Sequence, residues 1–135
     1  MTKEEKELLL KDLCSRLPYG VKVQYMNKIF DIDYISPMYE EVKLDTSGNW
    51  TIGVSEVNPY LFPLSSMTEE QKKECSIELS IRNAFINGEI YLSEDKGLTV
   101  YEITEIFDWL NANHFDYRGL IKKGLAIDAT GLNIY

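Results

Sequence analysis

The side chains best suited to covalent chemistry in this 135-residue chain are Cys14, Cys75 and His114, its one histidine. Nucleophilic catalysis would set a thiol against His114 with Asn113 or Asp116 orienting the ring, because the thiol needs a base and the base needs a fixed tautomer. The cysteines are far apart, form no CxxC pair or Cys/His cluster, and fall in or beside apolar helix stripes. The sequence therefore reads both as reduced, mostly buried thiols, and His114 as the end of a helix, where the dipole favours a cation. One histidine and two distant cysteines cannot supply a zinc set, and there is no DxDxDG calcium loop. Asp31 and Asp33 share a strand face, but a lysine opposite them makes a solvated ladder. The glycines stand singly at turns and helix ends, without GxGxxG or GK[ST]. The expectation is no catalytic residue, no cofactor and no metal.

These residues must be positioned by elements that the spacing predicts. A helix over 2–17 opens with a capping box, Thr2 and Glu5, and carries Leu9, Leu10, Leu13, Cys14 and Leu17 on one stripe, with Lys3, Glu4, Lys11 and Asp12 on the solvated side. Alternation over 21–35 predicts a hairpin turning at Asn27-Lys28. Its register sets Tyr25 opposite Phe30, Val23 opposite Ile32 and Val21 opposite Tyr34 on an apolar face, with Lys22 opposite Asp33 on the wet one. A second hairpin joins Glu41–Asp45 to Trp50–Ser55. Pro59 and Pro63 rule out a regular helix over 56–67 and argue against a central strand, leaving an apolar connector. Thr68 and Gln71 cap a helix running to Asn87-Gly88, Glu89–Leu92 reads as a short strand, and Thr99 and Glu102 cap a third helix ending near His114. Asp116 is expected to cap a last short helix through Lys123, followed by a loose end over 128–135. The expected fold is α+β: an N-terminal helix, a four-stranded antiparallel meander, then two to three helices packed on one face, in a single domain over 1–135.

Composition narrows the partners. With 14 Lys+Arg against 22 Asp+Glu the formal charge is −8, which argues against direct nucleic-acid binding and against an anionic membrane surface. With 44% hydrophobic residues the chain can bury a core without disulfide or metal support. No run approaches the roughly 20 apolar residues of a membrane span, and the charged N-terminal residues do not read as a secretory signal. A soluble, cytoplasmic protein is expected. The acidity is uneven, since residues 89–108 hold six carboxylates and one lysine.

From Pro59-Tyr60-Leu61-Phe62-Pro63-Leu64-Ser65-Ser66-Met67-Thr68-Glu69-Glu70 onward, and above all at Asp108-Trp109-Leu110-Asn111-Ala112-Asn113-His114-Phe115-Asp116-Tyr117-Arg118-Gly119-Leu120-Ile121, the chain resembles a family of small uncharacterised proteins. They are encoded by gut-dwelling anaerobic bacteria, their phages and other mobile elements. The likeness covers most of the chain, including Leu17-Pro18-Tyr19-Gly20-Val21. It implies a bacterial cytoplasm and a mobile-element setting, and assigns no residue a role.

Two segments are candidates for protein contact. Tyr60 and Phe62 sit in the proline-stiffened connector, which would be a preordered docking strip if exposed and a cover for the sheet if not. Trp109, His114, Tyr117 and Arg118 gather at a helix junction, where hot-spot residue types and ordinary corner filling look alike. The expected function is that of a non-enzymatic protein-interaction or regulatory protein whose partner is another protein or a second copy of itself. An alternative is an acidic inhibitor that mimics nucleic acid, with Glu89, Glu94, Asp95, Glu102, Glu105 and Asp108 in one stripe. An enzyme without a recognisable motif is the remainder.

Overall fold

Thr2 opens the first helix, α1 (Lys3–Arg16), as the spacing predicts: the Glu5 N–H donates to Thr2 Oγ1 at 3.1 Å and the Thr2 N–H to the Glu5 carboxylate at 2.9 Å. The structure is a computed structural model and describes residues 1–45, 48, 50–75, 85–86, 89–90 and 100–135. Leu9 and Leu13 of α1 are fully buried, each contributing about 1.5–3 kcal/mol. Asp12, expected on the solvated face, is buried beside them, as is Arg16.

The next two strands, β1 (Lys22–Tyr25) and β2 (Lys28–Ser36), form the expected hairpin with the turn one residue earlier. Met26 and Asn27 take the turn with φ of 48° and 60°, the left-handed geometry whose twist matches the flanking strands. Pairing therefore slides by two positions: Val23 faces Phe30 and Lys22 faces Asp31. A shift of two preserves parity, so Val21, Val23, Tyr25, Phe30 and Ile32 still serve the core. The wet-face ladder becomes Lys22–Asp31 at 2.9 Å and Lys43–Asp33 at 3.4 Å.

Strand β3 (Glu41–Leu44) pairs Ile32 with Leu44 but Tyr34 with Lys43, leaving Asp33 as the extra residue of a bulge in β2. The bulge reverses which residues point inward. Val42, paired with Ile35, is buried, and Tyr34, expected on the apolar face, stands 46% exposed with the Lys43 ammonium 6.0 Å from its ring centroid. A two-residue β4 (Ile52–Gly53) completes the second hairpin against β3.

Residues 58–63 overturn the connector reading. They form a strand, β5 (Asn58–Pro63), antiparallel to β1 through Val23 and Pro59. The prolines sit near its two ends, so Tyr60, Leu61 and Phe62 between them keep their N–H groups. Helix α2 (Glu69–Cys75) has its capping box, with the Gln71 N–H 3.1 Å from Thr68 Oγ1. Ile77, Ile81 and Ala84, which the sequence places in the same helix, lie outside the described residues. Phe85, placed by the sequence in that helix, belongs instead to β6 (Phe85–Ile86), which pairs antiparallel with β7 (Glu89–Ile90). Thr99 lies outside the described residues, so the third capping box is not described; the helix it was to open is α3 (Val100–Ala112).

After α3, β8 (Phe115–Asp116) and β9 (Ile127–Asp128) each run parallel to β5. The Phe62 N–H donates to His114 O and Leu61 O accepts from the Ala129 N–H, both at 2.8 Å. Those two groups belong to one peptide and point oppositely, so β8 and β9 occupy opposite edges of β5. Among the described residues the sheet is seven-stranded, in the order β4-β3-β2-β1-β5-β8 with β9 also on β5, which makes it larger than the expected meander. The expected helix from Asp116 is a set of turns: both carboxylate oxygens accept N–H groups, from Leu120 and Ile121, at 2.9 Å, without a helix following. Asp128, the first residue of the expected loose end, belongs to β9.

Alternation along β5 sends Leu61 into one core cluster, with Leu9 and Leu13 of α1, and Phe62 against a second, with Cys75 of α2 and Ile106 and Leu110 of α3. The helices thus serve two cores where a single helical layer was expected.

Candidate functional site

Asp12 and Arg16 lie one turn apart on the inward side of α1, and both side chains are 0% exposed. The carboxylate accepts from Arg16 Nε at 2.7 Å and Nη2 at 3.1 Å, a fork that fixes the guanidinium plane. Arg16 Nη2 also donates to Phe115 O at 2.7 Å, tying α1 to β8. Just beyond β8, Arg118 brings Nε to 3.4 Å from Asp12 Oδ1 and Nη2 to 3.4 Å from Ser15 Oγ. One carboxylate therefore faces two guanidinium groups. Tyr117 adds to the assembly, its ring centroid 5.4 Å from Arg16 Cζ and 5.1 Å from Arg118 Cζ. Its hydroxyl donates to Asn111 Oδ1 at 2.9 Å, and Phe107 meets its ring edge-on at 4.9 Å.

Of these residues Ser15, Phe107, Asn111, Tyr117 and Arg118 are the described lining of a surface hollow of about 550 Å³, and Asp12 and Arg16 are not among them. Arg16 Nη1 and Arg118 Nε are buried and have no hydrogen-bond acceptor among the described residues. The arrangement is electropositive with aromatic walls, inside a chain whose overall charge is −8.

Beside it, His114 takes φ of 64° where the chain leaves α3, and Tyr135 stacks on its ring at 3.5 Å with an 11° tilt. The Tyr135 hydroxyl accepts the Lys22 N–H at 3.0 Å and donates to Tyr60 O at 2.8 Å, joining β1 to β5. Burial, with the positive charges of Arg16 and then Lys22, lowers the His114 pKa to about 4. The imidazole is therefore neutral at pH 7, which corrects the expected cationic helix terminus. Burial pushes the Tyr135 phenol up to about 12, pushes the Cys75 thiol to about 12 and also raises Cys14. The thiols are held protonated, the opposite of what a nucleophile needs.

The six contact candidates fall into two groups: Phe62, Trp109 and His114 join one run of ring contacts through Phe115 and Tyr135, with Tyr60 tied to it by its carbonyl, while Tyr117 and Arg118 belong to the cluster with Phe107 and Arg16. Tyr60 is 5% exposed, and Phe62, Trp109, His114, Tyr117 and Arg118 are half-buried. Trp109 stacks on Phe115 at 5.6 Å, Phe115 meets Phe62 at 6.0 Å, and Phe62 meets Tyr135 at 6.0 Å. Only Tyr117 and Arg118 of the six border the hollow. Sequence reasoning missed Asp12, Arg16, Asn111 and Tyr135. A signal for the first two was present, because Asp12 and Arg16 continue the Leu9, Leu13 stripe at helical spacing. It also missed the exposed apolar side chains of the first two hairpins and their turns, Met26, Ile29, Tyr34, Met38, Tyr39 and Trp50.

Of the acidic stripe, Glu94 and Asp95 lie outside the described residues. Glu89 is in β7 and Glu102 in α3 without described side chains, Glu105 is half-buried and Asp108 exposed. Among the described residues no three His, Cys, Asp or Glu side chains are grouped to hold a metal, and no helix is long and apolar enough to cross a membrane. No family model, curated protein or solved structure matches the chain.

Proposed function

We propose that this chain is a non-enzymatic protein-interaction or regulatory protein of a bacterial or mobile-element cytoplasm, and that it meets another protein through the outer surface of its first two hairpins. The observation that carries this reading is the exposure of Tyr34, Met38 and Tyr39 where β2 turns into β3, Met38 at 83% and Tyr39 at 71%. Large apolar side chains gathered in one segment mark interaction surfaces more often than singly scattered ones do. The groups suited to chemistry are withdrawn by contrast, with Cys75 in a core and His114 covered by Tyr135.

The test compares the native chain with a variant carrying Tyr34→Ser, Met38→Ser and Tyr39→Ser, each immobilised and exposed to extract of the native host. A protein retained in stoichiometric amount by the native chain and lost by the variant is the expected result. Equal retention by both, or retention by neither, overturns the surface. Sedimentation velocity over a concentration series identifies a second copy of the chain as the partner if self-association is lost in the variant.

A further inference from the structure

We propose that the hollow bordered by Ser15, Phe107, Asn111, Tyr117 and Arg118 is a binding site for a carboxylate carried on a flat apolar group. The first support is charge. Two guanidinium groups share the Asp12 carboxylate, which Arg118 Nε approaches only to 3.4 Å, and Arg16, 0% exposed, is not among the hollow's described walls, so the described cluster keeps a net positive charge that the hollow meets through Arg118. An anion at the mouth is attracted by that excess, with the Arg118 guanidinium as the group it would meet. The second support is geometry. Arg118 is held from one side by Tyr117 at 5.1 Å and from another by Ser15 Oγ at 3.4 Å, which fixes its plane at low entropic cost to an incoming ligand.

The choice of a carboxylate on a flat group follows from the walls. Phe107 and Tyr117 meet edge-on at 4.9 Å and present ring surface, while Asn111, whose Oδ1 is taken by the Tyr117 hydroxyl, retains its amide donors. A planar carboxylate matches the guanidinium fork, and its aromatic body would cover the rings. The one described carboxylate in the cluster, Asp12, is fully enclosed and faced by two guanidinium groups, whose charge offsets its repulsion of an anion at the mouth.

The experiment titrates the full chain with sodium benzoate and follows the arginine Nε–Hε resonances by two-dimensional NMR at constant ionic strength, with acetate and inorganic phosphate as separate arms. The expected result is a saturable shift of the Arg118 resonance with benzoate, weaker with acetate. Arg118→Gln is expected to weaken benzoate by about tenfold or more, the loss of one charge-assisted contact. Phe107→Ala leaves the ion cluster intact and should bring benzoate down to the level of acetate, so the proposal does not depend on the fold tolerating the loss of Arg118. No saturable shift, an undiminished shift in Arg118→Gln, or phosphate binding as tightly as benzoate overturns it.

Discussion

Replacing Asp12 with Asn keeps the side chain's size and removes the one described carboxylate that holds both Arg16 and Arg118. Because Asp12 and Arg16 are both 0% exposed, the loss leaves a guanidinium in the interior with no counter-charge. Breaking a buried pair from one side costs about 3–5 kcal/mol. The new amide oxygen can still accept one N–H from Arg16, which places the expected cost near the lower end, about 3 kcal/mol. For a chain of this length that is roughly a 10 °C fall in Tm and a large fraction of a total stability of about 5–15 kcal/mol. Urea unfolding followed by tryptophan fluorescence reads it as a lower midpoint at unchanged slope. The companion variant, Asp12→Leu with Arg16→Met, replaces the pair with apolar groups of similar volume and should recover most of the loss. A cost below about 1 kcal/mol for Asp12→Asn, the value of an exposed pair, would refute the reasoning, as would a double variant no better than the single one.

Two further outcomes follow from the stack of Tyr135 on His114. The His114 pKa lies at about 4 in the folded chain against 6.5 ordinarily, so the unfolded chain takes up the proton first. Its stability contribution is full above pH 6.5, falls as the pH drops towards 4 and levels off below. The shift corresponds to about 3 kcal/mol at most, and partial exposure of the ring reduces this to about 1–2 kcal/mol. Urea midpoints measured from pH 7 to pH 4 should therefore fall less steeply in His114→Gln than in the native chain, and parallel curves would contradict the assignment. Tyr135→Phe removes the hydroxyl that joins the Lys22 N–H to Tyr60 O while keeping the ring on His114. It should cost about 1–2 kcal/mol by the same unfolding assay, and no change would show that water replaces the bridge.

The parts of the fold legible in the sequence are those whose partners sit within a turn or across a short hairpin. Thr2 with Glu5 and Thr68 with Gln71 cap their helices because both members of each box lie three residues apart. The first hairpin keeps its apolar face although its turn moves from Asn27-Lys28 to Met26-Asn27, since a two-position slide leaves parity unchanged. The bulge at Asp33 was not legible, and it turned Tyr34 outward by adding one residue to β2.

By itself the sequence determined local geometry and a mixed α+β class: helix starts, strand alternation, and a lysine–aspartate ladder on the wet face. Tertiary structure decided the rest. Pro59 and Pro63 spoke against a strand, yet β5 forms because β1, β8 and β9 supply its backbone partners from distant parts of the chain. Asp12 looked like a surface residue because its burial depends on Arg16 and on Arg118, more than a hundred positions away. A charge enters the interior only when its partners arrive with it. Local pattern cannot state that condition, and it is met here only when β8 delivers Tyr117 and Arg118 to the inner side of α1.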